Sequence, residues 1–304
     1  MEERFASTFV ISLTAYDADG GLDEENLRAH LRRLGASGIG VYVGGSGSGE
    51  GYTLDPAERR RVLEIAKEEL GERVPVRAMG VEPRSALEMI GFGREVAEVG
   101  LDAMQLYSLD PGHGYHPRRE ELEAFLIEVL EAVTCPVVLS SHQAMGYGLP
   151  PDLVAQMLER FPHVIGINFT NPDLGALVRM LEAVDGRVDV HVGGPMQTLT
   201  ALALGATGYL SSEGNLAPRL CQSVIAHHRV GELLLRDAAF AKLLLLHVAT
   251  QRLGGASAAK GALRELGLPG GWPRRPRLPV SDEHARELAA CFESLGLREV
   301  EDVS

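Results

Sequence analysis

Two short stretches hold residues whose types and spacing could do chemistry. Residues 45–50 read Gly-Ser-Gly-Ser-Gly-Glu. Such glycines let the backbone approach a bound anion closely, and the N–H groups with the Ser46 and Ser48 hydroxyls are natural carboxylate donors. Taken alone the stretch also reads as a flexible turn. Its place after an apolar run favours carboxylate binding by Ser46, Gly47, Ser48 and Gly49, with Glu50 anchoring the loop. The second stretch, SLDPGHGYHP at 108–117, carries Asp110, His113, Tyr115 and His116. Period-two alternation adds Ser140 and His142 on one side of another apolar run, and His191 lies in a third. Histidine is the acid–base group suited to neutral pH and a common metal ligand. His113 and His116 stand three apart in a Gly-rich loop, which is not a ligand spacing that defines a metal. A histidine in an apolar run, such as His191, is most often a satisfied core residue. No metal site and no cofactor are assigned.

Short apolar runs at 9–14, 40–43, 74–79, 103–107, 136–141, 164–168, 188–192 and 208–211 must position these groups. Amphipathic helical stretches separate them. Leu27, Leu31 and Leu34 mark a helix from Asp23, and Asp55 reads as an N-cap with Pro56 as first helical residue. Further helices are predicted at 83–99, 117–133, 151–161, 171–184 and 194–204, and from about Ala217. Eight strand–helix units in order predict an α/β fold, a (β/α)8 TIM barrel. An open doubly wound sheet would need a Gly-rich nucleotide loop after its first strand, and none is present. Strand signals then stop. The expected organisation is a barrel at 1–232 and a helical C-terminal region at 233–304.

Apolar residues make up 45% of the 304, enough for a large core. The net charge of −13 argues against nucleic acid and anionic membranes as partners. No run approaches a membrane span, and the polar start shows no signal-peptide pattern. Cys135, Cys221 and Cys291 are far apart, so a reducing cytoplasm is the expected location.

The stretches at 14–64, 136–154 (PVVLSSHQAMGYGLPPDLV), 164–170 (VIGINFT) and 255–297 resemble the dihydrodipicolinate synthase and N-acetylneuraminate lyase family. The resemblance covers nearly the whole chain in order. It implies an eight-stranded barrel with C-terminal helices, assembled as a homo-oligomer, a tetramer or a dimer. It also implies a mechanism. A lysine ending strand six forms a Schiff base with a 2-oxo acid, typically pyruvate. A tyrosine on strand five relays protons, and a Gly-Thr-Thr-Gly-Glu-type loop after strand two holds the carboxylate. Ser48 matches a threonine of that loop, and Tyr107 matches a strand-four aromatic position.

The departures are specific. Where the family motif reads Gly-Ile-Lys, this chain reads Gly166-Ile167-Asn168. An amide nitrogen is not a nucleophilic amine and cannot form an imine. The chain holds three lysines, Lys67, Lys242 and Lys260, none on a predicted strand, and Lys260 matches a family lysine outside the catalytic site. Ser140 takes the tyrosine position, and the synthase's substrate arginine has no counterpart in QAMGYG. A divalent metal polarising a 2-oxo acid carbonyl is one conceivable substitute for the lysine. Asn168 reads as a donor to the substrate oxygen, an oxyanion-type role. The catalytic candidates are therefore Asn168, Ser140, His142, Tyr107 and Asp110. Those for substrate binding are Ser46, Gly47, Ser48, Gly49 and Gly193. Two functions remain open. One is a lyase, aldolase or hydratase acting on a small carboxylate without an imine. The other is a non-catalytic ligand sensor or partner subunit.

Overall fold

The computed structural model describes residues 7–303 apart from 111 and 147. The amino-terminal hexapeptide and Pro111 of the 108–117 loop lie outside the described residues. Eight strands close into a barrel in chain order. They are β1 (Ser7–Ile11), β2 (Gly40–Val43), β3 (Val76–Ala78), β4 (Ala103–Leu106), β5 (Val137–His142), β6 (Val164–Thr170), β7 (Asp189–Gly193) and β8 (Gly208–Ser211). β1 with β2, and each neighbouring pair from β3 to β8, run parallel. The (β/α)8 barrel read from the sequence is the observed fold.

A helix follows each strand: α1 (Glu24–Ala36), α2 (Pro56–Leu70), α3 (Ala86–Val99), α4 (Arg119–Ala132), α5 (Pro151–Arg160), α6 (Leu174–Val184), α7 (Thr198–Ala203) and α8 (Pro218–Arg229). Local chemistry sets their starts. The Asp55 side chain accepts from the Glu58 N–H while Glu58 reaches back to the Asp55 N–H, closing a capping box ahead of α2. Asp23 and Ser85 cap α1 and α3 in the simpler way. α6 begins three residues later than its pattern suggests because Asp173, not Asn171, is its cap. α7 is shorter than the predicted 194–204. Gly194 has φ +77° and Pro195 follows it, so the chain turns there before helix can form. Beyond α8 come α9 (Leu233–Leu253), α10 (Ala256–Glu265), α11 (Asp282–Ser294) and α12 (Leu297–Glu301). No helix among the described residues is long and apolar enough to cross a membrane.

The chain divides into two compact units, residues 77–210 and residues 7–76 with 211–303. In the first, Leu106, Leu139, Ile167, Val190 and Val192 are buried apolar residues of the strands. Period-two alternation gives them the helix-facing side of the wall, and their polar neighbours take the other side.

Candidate functional site

The polar residues of the 77–210 unit form an ordered set. Ser140 lies in register with Asn168, and Asn168 with His191. All three are buried. The Asn168 Nδ2 donates to Gln105 Oε1 at 2.6 Å. That bond runs from β6 to β4 past β5, so both amides occupy the barrel interior. Gln105 is two residues beyond Ala103, which is in register with Arg77. Arg77 therefore shares the interior side of the wall. Sequence reasoning missed both Gln105 and Arg77. Alternation along β4, with Gln105 between Met104 and Leu106, was the signal that could have found the first.

The groups on this set differ in character. His191 is fully buried, and burial first, then the Arg77 charge, push its imidazole down to about 3. It is neutral at ordinary pH and is no proton shuttle there. His142, in register with Thr170, is half-buried. Burial pulls its imidazole below the usual value, with the Glu82 charge opposing. His142 is the more exposed imidazole of the two. Ser141 points the opposite way from Ser140, and its Oγ accepts the Leu149 N–H at 2.9 Å. Gly193 is a glycine for a local reason. A Cβ there would lie 2.0 Å from Thr170 Oγ1, so the Thr170 side chain occupies that space. Tyr107 is buried at the end of β4.

The loop after β4 is different. Asp110, His113, Tyr115 and His116 are exposed. The Asp110 carboxylate accepts the Gly112 N–H at 3.0 Å, a turn-forming bond. His113 has a left-handed backbone, φ +56°. The Tyr115 hydroxyl donates to Glu121. Among the described residues no three His, Cys, Asp or Glu side chains converge as a metal-ligand set.

The 45–50 loop belongs to the other unit, and it is tightly wound. The Gly51 N–H donates to Gly45 O at 3.0 Å, and a Cβ on Gly51 would lie 2.1 Å from Gly44 O. Ser48 is buried, whereas Gly47 is exposed with nothing near its missing Cβ. Glu50, in the left-handed region at φ +53°, ends the loop. Its Oε1 accepts from Lys260 Nζ at 2.5 Å and its Oε2 from the Arg274 N–H at 2.9 Å. Lys260 also donates to Thr14 O at 2.7 Å and Trp272 O at 2.8 Å. Three acceptors use all three ammonium protons. Burial pushes Lys260 down to about 8, against the opposing pull of Glu50, so it stays charged at neutral pH. Arg277 donates to Gly47 O at 3.1 Å. The C-terminal residues thus hold the loop. Nearby, burial raises the Tyr16 phenol to about 12, and its hydroxyl pairs with Thr53 Oγ1 at 3.0 Å.

Comparison with known proteins gives the same architecture a lineage. Residues 4–295 match the dihydrodipicolinate synthetase family. The chain belongs to that family. It is 30% identical over 278 residues to the 4-hydroxy-tetrahydrodipicolinate synthase of Methanopyrus kandleri, covering 91% of each chain. It is 31% identical over 286 residues to the enzyme of that name from Methanothrix thermoacetophila, covering 93% of this chain and 95% of the relative. Among solved structures, the dihydrodipicolinate synthase of Thermotoga maritima superposes with a TM-score of 0.87 at 21% identity, covering 97% of this chain and all (100%) of that one. The N-acetylneuraminate lyase of Proteus mirabilis gives 0.85 at 20%, with coverage of 97% and 100%. These two share the fold.

Proposed function

We propose that this member of the family is a lyase of the aldolase type acting on a 2-oxo acid or related small carboxylate without forming a Schiff base. The observation that carries the reading is Asn168. It stands in the barrel interior on β6, bonded to Gln105, and none of the chain's three lysines lies on a strand. In this reading the Asn168 amide and the Ser140 hydroxyl donate to the substrate carbonyl oxygen. Hydrogen bonds aimed at developing negative charge do part of what an iminium would do. His142, neutral and half-buried, exchanges the proton, with Tyr107 beside the substrate and Asp110 in the loop above. In the other unit, the N–H groups and hydroxyls of Ser46, Gly47, Ser48 and Gly49 are suited to an anion. No metal or cofactor enters the scheme. We further propose a homo-oligomer, a tetramer or a dimer, whose assembly size-exclusion chromatography with light scattering would measure.

The test is thermal unfolding with a panel of 2-oxo acids, followed by borohydride treatment of the complex. A ligand at 100 times its dissociation constant adds about 2.7 kcal/mol of stability. The expected result is a clear shift with at least one acid and no mass adduct after reduction. A covalent adduct would show an imine and sink the Schiff-base-free mechanism. No shift with any acid would sink the substrate class.

A further inference from the structure

The helix α9 is apolar on more than one side. It packs on α8 and α11, and Leu243, Leu246 and Leu253 are buried. Yet Leu234, Leu245 and Val248 stand 87%, 59% and 54% exposed. A surface helix turns polar residues outward, and one that is apolar all round is covered on every side.

The exposed residues are spaced, not scattered. Leu234, Ala238, Ala241, Leu245 and Val248 are all exposed and follow one another by four, three, four and three residues. That is the seam of a two-helix coiled coil, a row along which a second helix can lie.

The order of sizes selects the partner. Leucines flank the two alanines of the row. Laid antiparallel on a second α9, the row meets itself. Leu234 stands opposite Leu245 of the second copy and Ala238 opposite its Ala241, and a two-fold axis repeats both pairs. The alanines let the two backbones come close where the helices cross. Charge agrees with this partner. No acidic residue lies between Asp237 and the end of α9, so the row is clear of the carboxylates that give the chain its −13. Two copies repel least along such a row. A helix of 21 residues is about 31 Å long and roughly 10 Å wide, so the pair covers on the order of 600 Å². That is below the roughly 1,200 Å² of standard interfaces, which makes the contact a reversible one.

We infer that α9 is a self-docking face, on which two copies of this chain pair antiparallel about a two-fold axis. The inference rests on the homo-oligomer proposed above and names the face it uses.

The experiment is sedimentation velocity of the full chain across the micromolar range. Leu234→Glu and Leu245→Lys each alter an exposed side chain, so circular dichroism should match wild type. Each raises the dissociation constant at least tenfold, whereas Leu87→Glu, at an exposed leucine of α3, leaves it unchanged. A mixture of the two α9 variants associates at least threefold more tightly than either alone. In the mixed pair a carboxylate faces an ammonium at one end while Leu234 and Leu245 still meet at the other. A mixture no tighter than the single variants overturns the antiparallel pairing. An assembly that neither α9 substitution weakens overturns the face and leaves the homo-oligomer standing. A wild type at the mass of one chain throughout overturns both.

Discussion

The buried pair Glu50 and Lys260 gives the sharpest stability prediction. Neither side chain has any exposure, and they meet at 2.5 Å. Replacing Lys260 with Met removes one charge and leaves the other in the core. Glu50 retains the Arg274 N–H, but its Oε1 loses its ammonium, and Thr14 O and Trp272 O lose their donor. Breaking one side of such a pair costs about 3–5 kcal/mol. For a chain of 304 residues the unfolding entropy near the midpoint is roughly 0.64 kcal/mol per degree, so the melting temperature should fall by roughly 5 to 8 °C. Glu50→Gln combined with Lys260→Met leaves no orphan charge and should recover part of that loss. The assay is urea denaturation of the wild type, both single variants and the double variant. A coupling energy of about 1 kcal/mol or more is expected. A Lys260→Met loss below about 1 kcal/mol, or strictly additive singles, would refute the argument that the pair anchors the loop.

Gly193→Ala should cost about 1–3 kcal/mol by overpacking against Thr170, and Thr170→Ala should recover part of it by removing the two nearest atoms. Denaturation of the single and double variants measures both. Gln105→Leu should take an acceptor from the Asn168 amide, costing about 1–3 kcal/mol, and weaken 2-oxo acid binding; Gln105→Glu, which keeps the acceptor, should do less. Calorimetry that found the two variants equal would count against the amide pair. The folded imidazole of His191 lies near 3 and the unfolded one near 6.5. The unfolded chain therefore binds a proton that the folded one refuses. Stability present above the unfolded value is lost as pH falls, by up to about 1.4 kcal/mol per pH unit between roughly 6 and 4. His191→Gln should remove that slope, and stability curves at pH 7 and 5 would show it.

Much of the barrel was legible because its signals are local. Each strand is a short apolar run, and each helix start has its own cap, as with Asp55 and Glu58. The errors were local too. The helix expected over 194–204 begins instead at Thr198, because Gly194 and Pro195 turn the chain first. The candidate site was less legible because its bonds join residues far apart in sequence. Glu50 and Lys260 are 210 residues apart, and Gln105 and Asn168 are 63 apart. Nothing in the neighbourhood of any one of them names its partner. The same holds for Asn215. Its Oδ1 accepts the Leu13 N–H at 2.9 Å and meets His30 Nε2 at 3.0 Å, yet GNL in the sequence reads as an ordinary turn. Glu213 is another case, a fully buried carboxylate that holds His247 Nδ1 at 2.8 Å and raises its imidazole.

The long reach of Lys260 also bears on how the protein is made. Thr14 and Lys260 are separated by 246 residues, and Leu13 waits 202 residues for Asn215. A ribosome adding about 5–20 residues per second needs roughly 12–50 s to cross the longer gap. For most of that interval the 45–50 segment has been made but Glu50 has no ammonium to meet. The loop gains its full set of partners only once roughly the last seventh of the chain, from Lys260 on, emerges. Nascent chains stalled before Lys260 should therefore carry this segment in a protease-sensitive state, and release of the finished chain should be the moment at which it becomes protected.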